Sequence, residues 1–217
     1  MLPLLTTGLL ALWAAIAAAR PQAAPIRPPT GVPKVITVEP EADSEGSGCR
    51  PGTIGVAFAR DNSAMTIIFD GFKAGVGPKA GSLKKRAFCR VTVTMNIPGY
   101  AFDVSSVDFQ GFISIEKGVD ASLVSRWKWI DSTGADMKGK GNTQMKLTGP
   151  FRDDFVLHKD DEVPESEQSV CSKVDAKFQL SLSATLNTSN ATAAGEVSGD
   201  ATSSGFKQIL NLGWRKC

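Results

Sequence analysis

His158 is the only imidazole in this chain of 217 residues, so any Ser-His-Asp or Cys-His catalytic array would have to use it. No G-x-S-x-G nucleophile elbow accompanies it. One histidine without any C-x-x-C pair is also a poor supply of ligands for a zinc or copper centre. His158 therefore reads as an exposed histidine at a strand end. No catalytic residue, metal ligand or cofactor is assigned. Paired carboxylates are the remaining chemistry, because glycoside hydrolysis needs only two of them at the right separation. Asp108, Glu116 and Asp120 lie close enough in sequence to be considered for it.

Binding chemistry has more candidates. Trp127 and Trp129 are two residues apart, so on a strand they share one face. Two indoles side by side offer a stacking platform for the apolar side of a sugar ring. The preferred reading is that both fill the core while Lys128 points out, with the platform kept as a candidate. Lys79, Lys84, Lys85 and Arg86 form a basic loop, and Lys85-Arg86 is also a dibasic step that a secretory-pathway protease could cut. Asp160, Asp161, Glu162, Glu165 and Glu167 form an acidic loop that lacks the D-x-D-x-D-G spacing of a calcium site. Loops and exposed faces on a rigid β scaffold are where binding concentrates. The candidate partner-binding residues are thus Lys79, Lys84, Lys85, Arg86, Trp127 and Trp129.

These residues must be positioned by strands, because the apolar pattern has a period of two. Ile54, Val56 and Phe58 alternate, Asp61-Asn62 turns the chain, and Met65, Ile67 and Phe69 alternate back as a hairpin. Further strands are expected at Val35–Val38, Val91–Met95, Phe102–Ile115, Leu123–Ile130, Met145–Leu147, Phe155–Leu157, Lys177–Leu186 and Phe206–Trp214. No segment holds a helical apolar stripe over three turns. The expected fold is all-β, an antiparallel β-sandwich or jelly-roll-like body, stapled by disulfides.

The first charged side chain is Arg20. It follows an apolar stretch, Leu9 to Ile16, and the small residues Ala17-Ala18-Ala19. That order predicts a signal peptide over 1–19 with cleavage before Arg20. The uncharged stretch is near the lower limit for spanning a bilayer and is diluted by Thr6, Thr7 and Gly8, so no membrane anchor is expected after cleavage. A Pro/Ala-rich flexible leader is expected over 20–33 and one domain over 34–217. Export makes an even number of cysteines read as disulfides. Of three possible pairings, Cys49–Cys89 with Cys171–Cys217 is preferred, because each closes a moderate loop without crossing the other. Each bridge stabilises by roughly 3–4 kcal/mol on the loop-entropy account. Export also makes Asn187-Thr188-Ser189 and Asn190-Ala191-Thr192 candidate glycosylation sites at Asn187 and Asn190. The formal charge of +2 argues against nucleic acid as the partner.

Four stretches together resemble a known family. Gly46-Ser47-Gly48-Cys49-Arg50-Pro51-Gly52-Thr53 is similar to a G-S-G-C-P-x-G-[ST] entry motif. Ile68-Phe69-Asp70-Gly71-Phe72 with Gly75, Gly77 and Pro78 is similar to F-D-x-F…G-x-G-P. Phe102 to Val119, including Gly111-Phe112 and Gly118-Val119, resembles the central block, and Trp214-Arg215-Lys216-Cys217 the W-x-x-C end. The family is the secreted, mostly fungal one called domain of unknown function 4360. The sequence departs from it at Arg50, where proline is usual, and around Cys171, where W-x-P-C-G is usual. The resemblance implies an exported, four-cysteine β domain from a filamentous fungus, and it implies no reaction or cofactor. The expected function is a secreted, non-catalytic protein that binds a host or cell-wall component, such as a virulence effector inhibiting an extracellular host enzyme in the apoplast. A carbohydrate-binding wall protein is the second expectation and a polysaccharide hydrolase the third. The expected partner is an extracellular host protein or a cell-wall polysaccharide.

Overall fold

Strand β10 (Lys177–Thr188) shows the period-two rule in its simplest form. Phe178, Leu180, Leu182, Ala184 and Leu186 are buried, while Lys177, Gln179, Ser181, Ser183 and Thr185 alternate on the other side. A computed structural model describes residues 26–28, 30–31, 33–40, 48–160, 169, 171, 177–199 and 205–217. The expected signal peptide, most of the leader, and Asp161, Glu162, Glu165 and Glu167 of the acidic loop lie outside the described residues.

Among the described residues there is no helix, and the strands form two antiparallel sheets packed face to face. The first sheet runs β1 (Lys34–Pro40), β5 (Arg86–Asn96), β10, β7 (Val119–Ile130), β8 (Gly141–Thr148). The second runs β2 (Ile54–Phe58), β3 (Ala64–Asp70), β12 (Gly205–Lys216), β6 (Tyr100–Ile115), β11 (Gly195–Ser198), β4 (Ala74–Val76). A further strand, β9 (Phe151–Asp160), pairs with β6. The all-β sandwich expected from the alternation is therefore the observed fold. Every strand expected from sequence is present; β4 and β11 are additions, each too short to show a period.

The core between the sheets is apolar and aromatic. Phe102 packs with Trp129, Trp214 and Phe178 at ring-centroid distances of 4.8, 5.0 and 5.6 Å. Both disulfides have the expected pairing: Cys49–Cys89 with Cα atoms 5.1 Å apart and Cys171–Cys217 at 5.7 Å. Among the described residues no cysteine is free. The Asp61-Asn62 turn also holds the chain's early residues. Arg27 Nη1 lies 2.6 Å from Asp61 Oδ2, Asn62 Nδ2 donates to the carbonyl of Pro28, and Trp214 Nε1 donates to the carbonyl of Asn62.

The preferred core reading of Trp127 and Trp129 is the observed one, and their candidacy as partner-binding residues is overturned. The two indoles do share a face, as their spacing requires, but it is the inward face of β7, where they are 3% and 4% exposed. The reason lies in their neighbours. Arg126 and Lys128 cannot be buried cheaply without partners, so β7 turns them outward and puts the rings in the core. At that burial neither indole presents an open ring face for a sugar to stack on.

Candidate binding face

Turning Arg126 and Lys128 outward builds a feature that local sequence does not display. Register places Arg90 of β5 opposite Ser181 of β10, Ser181 opposite Arg126 of β7, and Arg126 opposite Asn142 of β8. One row along, Glu39 of β1, Thr92, Gln179 and Lys128 are aligned; in the other direction lie Phe88, Ser183, Val124 and Gln144, then Arg86, Thr185, Ser122 and Lys146. The outer face of the five-stranded sheet thus carries hydroxyls, amides and cations at its centre, with Phe88 and Val124 among them and the carboxylates Glu39 and Asp120 toward its margins. With strands about 4.8 Å apart, Arg90 and Arg126 stand about 10 Å from each other across the sheet.

A groove of about 460 Å³ crosses this face, and Arg90, Arg126, Lys128 and Lys140 line it with Asn142, Gln179 and Ser181. No carboxylate is among its lining residues. Lys128 is countered from the side by Asp136 at 2.7 Å. Arg126 and Lys140 have no ion-pair partner among the described residues. Arg90 Nε donates to Ser181 Oγ at 3.1 Å and Arg86 Nε to Ser183 Oγ at 3.2 Å. Both guanidinium groups lie over the Phe88 ring, at 5.7 and 5.2 Å from its centroid. These contacts hold the two arginines against the sheet.

The basic loop expected from sequence does not act as one cluster. Arg86 opens β5 and belongs to the face just described. Lys79 instead pairs with Glu116 at 2.9 Å. The backbone N–H of Ala194, followed by Lys79, holds the Glu116 carboxyl below its ordinary value. Lys84 lines a separate cleft with Arg50, Asp70 and Lys73. The carbonyl of Lys85 accepts from Leu186 N–H at 2.8 Å, and Arg86 pairs with Thr185. In the folded chain the Lys85-Arg86 step is therefore part of a ladder rather than the open loop a protease prefers.

The three carboxylates considered for hydrolysis do not converge. Asp108 is on the outer face of β6, where Asn211 Nδ2 donates to its Oδ2 at 3.0 Å. Asp120 is on the outer face of the opposite sheet, accepting from Thr148 Oγ1 at 2.8 Å. Glu116 is in the turn between β6 and β7, occupied with Lys79 and Ala194. A sandwich core about 10 Å thick separates the first two.

His158 is exposed near the end of β9, and its ring lies between two carboxylates. Nδ1 is 2.5 Å from Asp108 Oδ1 and Nε2 is 3.1 Å from Asp160 Oδ1. Only the imidazolium can donate from both nitrogens. The hydrogen bond to Asp108, then that to Asp160, raises the histidine pKa above its ordinary 6.5. A raised folded-state pKa gives stability that is fully present below the unfolded value and lost as pH rises through the folded value. Titration of the His158 Cε1 proton by NMR is expected to give a midpoint above 6.5, and Asp108→Asn is expected to lower it. Equal midpoints in both proteins would show that the Asp108 contact is not held in solution.

Asn187 and Asn190 are both exposed. Asn187 is near the end of β10, opposite Asp120. Asn190 is in the following turn, where its Oδ1 accepts from the backbone N–H and the hydroxyl of Thr192, at 3.0 and 2.8 Å. Among the described residues no cluster of three or more potential metal ligands is found, and no helix is long and apolar enough to cross a membrane.

Comparison with known proteins gives a family and little else. A family profile described as domain of unknown function (DUF4360) matches residues 36–217. An uncharacterized secreted protein from Arthroderma benhamiae is 27% identical over 173 residues, covering 79% of this chain and 68% of the relative. Among solved structures, a carbohydrate-binding module (TmCBM61) in complex with β-1,4-galactotriose aligns at 12% identity with a TM-score of 0.24, covering 87% of this chain and 91% of that one. A structure of infectious bursal disease virus aligns at 14% identity with a TM-score of 0.30, covering 84% and 42%. Likenesses this distant carry no argument about ligand or activity.

Proposed function

We propose a function for a chain that belongs to the DUF4360 family: it is a secreted, non-catalytic binding protein that holds an acidic polysaccharide of the cell wall or host surface on its basic sheet face. The observation that carries this reading is the groove lined by Arg90, Arg126, Lys128 and Lys140 with no carboxylate among its lining residues. Cations at spacings of roughly 7–10 Å suit a chain of regularly repeated carboxylates. The intervening Ser181, Gln179 and Asn142 suit sugar hydroxyls, which both donate and accept. Secretion is supported by the leader sequence, by two disulfides and by the secreted relative. The dispersal of Asp108, Glu116 and Asp120 supports a role without turnover.

Calorimetric titration with polygalacturonate, a neutral β-glucan and single-stranded DNA of matched charge tests the proposal. Binding to polygalacturonate that weakens as salt is raised, with no binding to the glucan, is the expected result. An absence of binding to polygalacturonate at low salt would overturn it. Equal binding to the DNA would show that the face selects charge alone, and would overturn the polysaccharide assignment.

A further inference from the structure

The outward residues of β10 continue past the groove. Thr185 shares a row with Arg86, Ser122 and Lys146, and the next outward residue is Asn187, beside Asp120. The Asn187 side chain is exposed and makes no hydrogen bond to another described residue, on the same face of β10 as Thr185. Asn190 differs. It has left the sheet for the turn toward β11, and its side chain is folded back on Thr192. Two acceptors three residues apart therefore sit in different settings, one on the sheet face and one in the turn beyond it.

We infer that Asn187 is a glycan-bearing site whose occupancy controls access to the basic face, whereas a glycan at Asn190 leaves that face open. A two-residue step along a strand is about 7 Å, so the first sugar on Asn187 stands beside the Arg86–Lys146 row. An N-glycan is bulky and flexible. Its outer branches sweep back over Arg90 and Arg126, about 20 Å from Asn187 along the strand. Such a glycan obstructs a long polymer without neutralising a single cation. It acts as a steric gate that favours short or end-on ligands.

The inference rests on the proposed binding reading. Its test compares wild-type protein, N187Q and N190Q, each secreted from an N-glycosylating yeast, with wild-type chain made without glycans. Occupancy is read by peptide mass spectrometry and binding by titration with polygalacturonate. The expected result is weak binding by the Asn187-glycosylated form, restored by N187Q and by endoglycosidase trimming to one sugar, and not by N190Q. An unoccupied Asn187, or an occupied one that binds as well as the bare chain, overturns the inference while leaving the binding reading in place. If the bare chain itself does not bind, both fall together.

Discussion

Reversing two charges, Arg126→Glu with Lys140→Glu, is expected to weaken polygalacturonate binding by roughly 30- to 150-fold, about 2 to 3 kcal/mol, while leaving the fold intact. Each exposed ion pair contributes at most about 1 kcal/mol, and a reversal both removes an attraction and adds a repulsion of similar size. The two residues suit the purpose because both are exposed and neither has an ion-pair partner among the described residues, so the substitution leaves no described carboxylate unpaired. Calorimetric titration gives the affinity, and the thermal midpoint of each protein controls for folding. Arg86 and Arg90 are less clean targets, since both are tied to serine hydroxyls and to the Phe88 ring. Unchanged affinity in the double variant would place the ligand elsewhere.

Truncating Trp129 to alanine is expected to lower the unfolding free energy by about 3–5 kcal/mol, as measured by denaturant titration. The ring lies 4.8 Å from Phe102 and 5.3 Å from Phe178, so its loss opens a cavity in the middle of the aromatic core. Its Nε1 has no hydrogen-bond partner among the described residues. The cost is thus one of packing and buried area rather than of a broken hydrogen bond. This also distinguishes the core role from the sugar-stacking role that the Trp127–Trp129 spacing permits. A stacking residue would cost binding and spare stability. If stability held and only binding fell, the inward placement of the ring would be wrong.

The fold was legible in sequence wherever an element was long enough to repeat its alternation. β10 alternates over twelve residues and could be read directly. β4 and β11 have three and four residues and contain Gly75 and Gly195, so neither could announce a period. The disulfide pairing followed from loop economy. The orientation of Trp127 and Trp129 was readable too, because Arg126 and Lys128 alternate with them and demand solvent. The family motifs proved to be architecture. Gly48 lies against the Phe72 ring, where a Cβ would overlap it, and Gly77 has a φ of 84° and no room for a Cβ beside the Ala193 carbonyl. Trp214 belongs to the core and Cys217 to a disulfide. Motifs that specify packing give no guide to a ligand, which is why the resemblance predicted the fold well and the function hardly at all.

The basic face was hidden for a different reason. Arg86, Arg90, Arg126, Lys128, Lys140 and Lys146 are dispersed along the chain, and no two of them form an adjacent pair. Only the pairing of β5, β10, β7 and β8 gathers them on one surface. The sequence directed attention instead to Lys79, Lys84, Lys85 and Arg86, of which only Arg86 lies on that face. Net charge was equally uninformative, since +2 for the whole chain is compatible with several cations gathered on one face.

The claim that this face is the binding surface is tested most directly by backbone amide NMR during titration with a galacturonate oligosaccharide. Shifts confined to Arg90, Arg126, Lys128, Lys140 and their neighbours in β5, β10, β7 and β8 are the expected result. Shifts centred on the other sheet, or on the Lys79–Lys85 connection, would contradict it.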